Sequence, residues 1–218
     1  MGMMHNLLHN FAEVREGNKM ALVRPDGKEI IIGALFRRAG CEPFVTASGR
    51  GAIERFRFED GYGMVRHYNR GGAAGKIAKD VYLLDNRPKR ELLVLAYLVE
   101  NGFPAPEPLG VLWEQQGPLI RGDIATRFIA ADELTHQVEV ESEENEDLLR
   151  HVGRLIRRMH DLGVYHADLQ VRNILVHAGE VYIIDFDKAV IHDPLPEMHR
   201  ARNLLRLRSP RAAPGPLV

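Results

Sequence analysis

The stretch Tyr165–Ala189 constrains the fold of this chain more than any other part of the sequence. It reads YHADLQVRNILVHAGEVYIIDFDKA. Two apolar runs, Asn173–His177 and Val181–Phe186, flank the turn residues Ala178-Gly179-Glu180, a pattern that predicts a β-hairpin. A hairpin keeps the residues at the ends of its two strands in fixed positions, so polar side chains there can act together.

Three oxygen-bearing side chains border the predicted hairpin. Asp168 and Asn173 come at the start of the first strand, and Asp185 comes at the end of the second. Hard cations such as Mg²⁺ prefer carboxylate and amide oxygens together with substrate phosphates. Phosphoryl transfer also needs a carboxylate that receives or orients the attacking hydroxyl. The pattern favours a phosphotransferase site over a hairpin with incidental acids, although structural ion pairs also collect acids.

The composition sets outer limits on the function. The chain has 218 residues, of which 45% are hydrophobic and 27% charged, so it can form one large domain or two small lobes. A net charge of −1 gives no global attraction to nucleic acid. The single cysteine, Cys41, excludes an internal disulfide and fits a reducing compartment. No run predicts a transmembrane helix or a signal peptide, so we expect a cytoplasmic protein, with peripheral membrane attachment left open.

The order His-x-Asp-x₄-Asn followed by Asp-Phe resembles the catalytic loop and metal-binding loop of the protein-kinase-like fold. In this chain the motif consists of His166, Asp168, Asn173 and Asp185-Phe186. The resemblance implies that Asp168 is the catalytic carboxylate. It also implies that Asn173 and Asp185 hold Mg²⁺ and that the phosphate donor is ATP.

Three further residues of the motif distinguish kinds of kinase. Ala167 replaces an arginine of many protein kinases, and Asp187 replaces the following glycine. Both departures resemble small-molecule kinases, in which Asp187 would add a metal ligand or support one. Arg172 resembles the cation that tyrosine kinases use to neutralise the γ-phosphate, which implies a catalytic role.

Upstream residues supply the expected nucleotide contacts. Gly49 and Gly51 form a Gly-x-Gly loop whose backbone amides can approach phosphate oxygens, although such a loop is often only a turn. Arg66, in the predicted strand Tyr62–Tyr68, takes the place of the phosphate-binding lysine. We expect it to pair with Glu91 at the start of a helix. The alternatives are a solvated strand arginine and a solvated helix acid.

The predicted fold class is α+β. It is a bilobal protein-kinase-like fold with a β-rich N-lobe over residues 1–129 and a reduced, mainly helical C-lobe over residues 130–218. The expected elements are an extra hairpin over residues 19–33, strands at 53–58, 62–68, 109–113 and 119–128, a hinge at 129–133, and helices from Lys89 to Asn101, Leu148 to Leu162 and Met198 to Ser209.

Four motifs resemble the lipopolysaccharide kinase family over roughly residues 45–210, and within it most closely the members that act on 3-deoxy-D-manno-octulosonic acid (Kdo). They are Arg66-His67-Tyr68, Tyr165–Leu175, Ile184–Asp187 and Asn203–Leu207. The resemblance implies ATP-dependent phosphorylation of the 4-hydroxyl of Kdo on lipid A. The alternatives are a heptose kinase or another small-molecule kinase of this fold, an aminoglycoside-type phosphotransferase, a protein kinase or a pseudokinase. A pseudokinase is disfavoured because Asp168 and Asp185 are both present.

A lipid-linked acceptor implies contact with an anionic membrane surface, at the cytoplasmic face of the inner membrane. Two basic segments offer that contact, Arg70–Arg90 and Arg200–Arg211. The alternative is that these cations only solvate a helix and a tail. No nucleic-acid partner is expected.

Overall fold

The structure is a computed structural model that describes residues 7–44, 53–68, 82–83, 86–116, 119–134 and 143–208. The chain divides into two compact units, Met1–Ala130 and Ala131–Val218. The boundary falls within the segment 129–133, where the sequence predicts a hinge, and contact of that segment with adenine stays a prediction. The described residues combine one large sheet, two small sheets and four α-helices, which confirms the α+β class.

The first unit is built on an eight-stranded antiparallel sheet. The strand order is β1-β2-β7-β8-β5-β4-β3, and β6 pairs with β8. The central position of β5, between β4 and β8, places Arg66 opposite Ile53 on one side and Ile124 on the other. The strands are β1 (Ala12–Glu16), β2 (Lys19–Val23), β3 (Glu42–Phe44), β4 (Ile53–Phe58), β5 (Gly61–His67), β6 (Tyr82–Leu83), β7 (Pro108–Gln116) and β8 (Leu119–Arg127).

Helix α1 (Lys28–Arg37) corrects the predicted hairpin over residues 19–33. The turn at Pro25–Gly27 forms, with Gly27 at a φ of +67°, but a helix follows it. A short apolar run alone does not distinguish a strand from a buried helix, and here burial on the sheet decides. Ile31 and Leu35 lie one turn apart and enter a core formed with β2, β4, β5, β7 and β8.

Helix α2 (Arg87–Glu100) packs on β7 and β8 in the first unit. Its N-terminus is capped by the Asn86 side chain, which accepts from the Lys89 amide at 3.1 Å, and Pro88 suits the first turn. The helix ends at Asn101-Gly102, as the sequence predicts. Its buried face includes Leu92, Leu95 and Leu98. This face fixes the rotation of the helix and directs Glu91 inward.

The described residues of the second unit form two α-helices, a short 3₁₀ helix and two small sheets. One sheet has the order β12-β11-β9, and the other pairs β10 with β13. Helix α3 starts earlier than the predicted Leu148, because the acidic residues before it favour a helix N-terminus. The elements are β9 (Asp132–Glu133), α3 (Glu143–Asp161), β10 (Val164–Tyr165), β11 (Ile174–His177), β12 (Glu180–Ile183), β13 (Val190–Ile191) and α4 (Glu197–Arg208).

The predicted hairpin of the second unit forms, but its second strand is shorter than expected. Strand β12 pairs with β11 from Glu180 to Ile183 and does not continue to Phe186. The chain leaves the strand because Asp185 has a φ of +67°, in the left-handed region. Asp185 therefore lies beyond the strand end, just before the turn that Phe186 and Ala189 close with a hydrogen bond of 2.9 Å. In the described part of the chain, no helix is both long and apolar enough to cross a membrane.

Candidate active site

His166 joins the two predicted loops of the second unit. Its side chain is 1% exposed. The Asp168 amide donates to Nδ1 at 3.3 Å, so the proton lies on Nε2, which donates to the Ile184 carbonyl at 3.0 Å. Burial lowers the pKa of His166, which keeps the ring neutral near pH 7. The Phe186 ring lies 4.8 Å away and is fully buried, so the histidine couples the loop of Asp168 to the loop of Asp185 by packing as well.

The Asp168 carboxylate is held by one of its two oxygens. Oδ1 accepts from Nε2 of Gln170, and Nη1 of Arg206 donates to the same oxygen at 3.1 Å. Among the described residues no hydrogen bond or ion pair engages Oδ2. The side chain is 29% exposed. The carboxylate is thus oriented through Oδ1 in the described part of the chain.

Asn173 ties Asp168 to the strand that leads to Asp185. It is fully buried, and its Nδ2 donates to the backbone carbonyl of Asp168 at 2.8 Å. Its own carbonyl accepts from the Ile184 amide at 2.9 Å, which places Asp185 next to it in the fold. The structure therefore brings together the Asp, Asn and Asp that the spacing singles out. The partly buried Asp185 side chain adds a carboxylate to this group.

Asn203 of α4 is a member of the site that the sequence reasoning did not identify. Its side chain is fully buried and spans two elements. Nδ2 donates to the His166 carbonyl at 2.6 Å, while Oδ1 accepts from Nε2 of His160 at 3.0 Å and from the His166 amide at 3.4 Å. The Asn203 position in a motif shared with the lipopolysaccharide kinases was the available signal. One amide thus connects the loop that precedes Asp168 to α3 and α4.

The first unit contains the predicted pair of Arg66 and Glu91. Nη2 of Arg66 donates to both carboxylate oxygens, at 2.7 and 2.6 Å. The Tyr68 hydroxyl also donates to this carboxylate, and the guanidinium lies 5.1 Å from the centre of the Tyr68 ring. Glu91 is 3% exposed and Arg66 is 29% exposed. Glu91 is therefore not the solvated helix acid of the alternative, and Arg66 is a partly exposed arginine held by its ion pair.

Four predicted site residues remain, namely Gly49, Gly51, Arg172 and Asp187. Gly49 and Gly51 lie outside the described residues, so their contact with phosphates stays a prediction. Arg172 lies in the 3₁₀ helix Val171–Asn173 with an exposed side chain. Asp187 is partly buried, two residues beyond Asp185. The roles of all the site residues likewise stay predictions.

The donor set of the second unit suits Mg²⁺ better than a transition metal. Asn173 and Asp185 offer an amide and a carboxylate, and Mg²⁺ typically takes one or two such protein ligands and completes its shell with phosphates and water. Within the described ranges no group of three or more His, Cys, Asp or Glu residues forms a closed metal site. This arrangement fits an ion that arrives with a nucleotide.

Solved structures define the class of fold. The chain aligns with WaaP, solved in complex with an acyl carrier protein, at a TM-score of 0.59 and 17% identity over 86% of this chain and 79% of that one. It also aligns with the Rio2 kinase of Chaetomium thermophilum, solved as an ADP/Mg²⁺-phosphoaspartate complex. There the TM-score is 0.54 with 19% identity, over 94% of this chain and 66% of the other. The fold is protein-kinase-like, as predicted.

The family follows from the sequence comparisons. Residues 39–213 match the model of the lipopolysaccharide kinase (Kdo/WaaP) family. A 3-deoxy-D-manno-octulosonic acid kinase of Vibrio cholerae is 33% identical over 168 residues, which cover 75% of this chain and 71% of that protein. The chain belongs to the lipopolysaccharide kinase (Kdo/WaaP) family. It is a phosphotransferase that uses ATP and acts on a sugar hydroxyl of the lipopolysaccharide core.

Proposed function

We propose that the enzyme transfers the γ-phosphate of ATP to the 4-hydroxyl of Kdo attached to lipid A. The main support is the similarity to relatives named as Kdo kinases, which reaches 36% identity. That similarity covers about three quarters of this chain. The 4-hydroxyl is the acceptor that the family resemblance implies. A different core sugar, such as a heptose, is the competing acceptor within this family.

Asp168 is the residue that acts on the acceptor. Its Oδ1 is occupied by Gln170 and Arg206, and its Oδ2 faces no described partner. In the proposed reaction the sugar hydroxyl donates its proton to Asp168 as its oxygen forms a bond to the γ-phosphorus. The bond from that phosphorus to the β,γ-bridging oxygen breaks, and ADP leaves. Orientation of the hydroxyl and charge stabilisation supply most of the catalysis in phosphoryl transfer.

Asn173 and Asp185 are the proposed ligands of Mg²⁺, with Asp187 as a further or supporting ligand. The ion would neutralise charge on the phosphates of the bound nucleotide. Support comes from the oxygen donors that the fold assembles beside Asp168, and from the Rio2 kinase, which was solved with ADP and Mg²⁺. The buried position of Asn173 holds its amide in place before any ligand binds.

Arg66 is the proposed phosphate-binding cation, and Glu91 its positioning partner. Both Glu91 oxygens accept from Nη2 of Arg66, which holds the guanidinium in place. A guanidinium can bind phosphate oxygens bidentately. Gly49 and Gly51 are proposed to cover the phosphates. Arg172, exposed next to Asn173, is proposed to stabilise charge on the γ-phosphoryl group.

We expect α4 to contribute to contact with an anionic membrane, at the cytoplasmic face of the inner membrane. Met198, Leu204 and Leu205 on this helix are 59%, 52% and 61% exposed, and Arg202 is exposed beside them. In the structure, some arginines of the basic segment Arg200–Arg211 are paired with acids rather than presented only to solvent. Arg200 pairs with Asp161, and Arg206 pairs with Asp168, so both cations are partly neutralised. Each basic residue near an anionic leaflet contributes about 1 kcal/mol.

The acceptor is tested by incubating the purified enzyme with radiolabelled ATP, Mg²⁺ and three acceptors. These are Kdo–lipid A, lipid A without Kdo, and a heptose-bearing core. We expect incorporation into the first alone, with mass spectrometry and NMR locating the phosphate at the 4-hydroxyl. Phosphate on heptose, or equal labelling of lipid A without Kdo, would contradict the proposal.

Membrane contact is tested by co-sedimentation with vesicles of anionic or neutral lipid at low and high salt. Arg202→Gln combined with Leu204→Ser should weaken binding to anionic vesicles about tenfold, because it removes charge and apolar area. Arg150→Gln, at an exposed arginine of α3, is the matched control. Binding that does not change with lipid charge or with salt concentration would contradict an electrostatic contribution.

A further inference from the structure

Arg206 reaches the catalytic carboxylate from a helix that lies 38 residues further along the chain. Its Nη1 lies 3.1 Å from Oδ1 of Asp168. The geometry points to Arg206 as the residue that binds the carboxylate of an acid-sugar acceptor. The inference rests on the proposed function, because it concerns how the same site recognises Kdo.

The guanidinium of Arg206 has the capacity to bind a second carboxylate. Its side chain is 49% exposed, and among the described residues Asp168 is its one ion-pair partner. That contact uses a single nitrogen, whereas a guanidinium carries five N–H donors in a planar fork. The fork matches a carboxylate with two parallel hydrogen bonds, which a lysine cannot reproduce. Arg206 is thus held by Asp168 and has further N–H donors with which to bind a carboxylate.

Besides holding Asp168, Arg206 would reduce the charge repulsion that an acidic acceptor meets in this site. A sugar whose hydroxyl lies at Asp168 places its own acid group near that carboxylate and near the transferred phosphoryl group. Like charges at such distances repel, and the repulsion is strong where water is partly excluded. A guanidinium in contact with Asp168 offsets this repulsion for an acid sugar. It gives no such benefit to a neutral sugar, and so it favours an acidic acceptor.

Two other arginines of α4 serve as a comparison. Arg200 pairs with Asp161 at 3.1 Å and with Glu197 at 3.5 Å, away from Asp168. Arg202 is exposed and makes no ion pair with the described residues. Only the Arg206 guanidinium, among these three, contacts the catalytic carboxylate. Arg202 is therefore a matched control for the loss of one positive charge from the same helix.

The test compares two acceptors, Kdo–lipid A and the same molecule with the Kdo carboxylate converted to a carboxamide. Both are assayed in detergent micelles with wild type, Arg206→Gln, Arg206→Lys and Arg202→Gln. We expect wild type to prefer the acid by about tenfold in kcat/KM, as charge-assisted hydrogen bonds imply. Arg206→Gln should abolish that preference, Arg206→Lys should retain part of it, and Arg202→Gln should keep it.

The ratio of the two acceptors separates recognition from the placement of Asp168. If Arg206 only positions Asp168, Arg206→Gln lowers kcat equally for both acceptors, the preference remains, and the inference is wrong. A wild type that does not distinguish acid from amide also overturns it, while leaving the Kdo acceptor intact. Absence of turnover on both acceptors overturns the proposed function itself, and the inference with it. Thermal unfolding of each variant confirms that the compared proteins are folded.

Discussion

The two units bury different kinds of polar group. Among the described residues of the first unit, the buried polar side chains are acids, Glu91 and Asp123, each paired with an arginine. Those of the second unit are neutral and hydrogen-bonded, namely His160, His166, Asn173 and Asn203. A buried ion pair is costly to break because removing one partner leaves an uncompensated buried charge. A buried neutral group needs only its hydrogen bonds satisfied. In the second unit the carboxylates of the proposed site, Asp168 and Asp185, are instead partly exposed.

The largest effect is expected from removing the negative charge of Asp168, which is partly exposed in the second unit. Asp168→Asn should lower kcat by about 10²–10⁴-fold, because an amide cannot take the proton of the acceptor hydroxyl. Stability should change little, since the side chain is 29% exposed. Steady-state kinetics and urea unfolding measure the two quantities. Wild-type kcat in a folded Asp168→Asn protein would contradict the assigned role.

The next largest effect tests the neutral network of the second unit. Asn203→Ala leaves buried groups of His160 and His166 without partners, and should lower the free energy of unfolding by about 2–4 kcal/mol. Because these bonds position the loop of Asp168, kcat should fall as well. Arg202→Ala, at the exposed neighbouring position, controls for changes in helix propensity. An Asn203→Ala protein as stable as this control would show that the network contributes little.

The corresponding test in the first unit removes the buried charge of Glu91. Glu91→Gln should lower the free energy of unfolding by about 2 kcal/mol. The loss stays below that of a fully buried ion pair because Arg66 is 29% exposed. We expect the KM for ATP to rise more than kcat falls, since the pair positions a phosphate-binding cation. Glu29→Gln, at an exposed helix position of the same unit, is the control. An unchanged KM for ATP would separate the pair from nucleotide binding.

The smallest effect concerns pH. Burial lowers the pKa of His160 and of His166 below the ordinary value near 6.5. The unfolded chain therefore binds more protons below about pH 6.5, so stability is fully present above that pH and is lost as the pH falls. Each histidine contributes at most about 1.4 kcal/mol per pH unit.

Urea unfolding between pH 7.5 and 5.5 measures this dependence. His160→Gln, which can still donate to Asn203, should flatten it, because one buried titrating group is gone. A His160→Gln protein with the wild-type slope would show that the contrast between the two units does not extend to protonation.

Local spacing predicted the parts of the site that are close in sequence. Asp168, Asn173 and Asp185 were found because a hairpin with known turn residues determines where its flanking residues lie. The Arg66–Glu91 pair followed from the resemblance to kinases and from the helix signal at Pro88. These inferences depend on short-range rules and on a family pattern.

Other features depend on packing between distant elements. Helix α1 was misread because its apolar run fits a strand or a helix equally well, and only burial of Ile31 and Leu35 on the sheet decides. Arg206 was assigned to a membrane surface, since sequence shows a basic helix but not that one of its arginines meets Asp168. The left-handed backbone conformation of Asp185 is not indicated by the sequence, because glycine usually marks such a conformation.

The bond from Asn203 to the His166 carbonyl also has a consequence for biosynthesis. It joins residues 37 positions apart. Domains fold as they emerge during synthesis, from the N-terminus onward. A nascent chain that has exposed Asp168 but not Asn203 lacks the amide that completes its catalytic loop. We therefore expect the loop of Asp168 to reach its final geometry only after translation has passed Asn203.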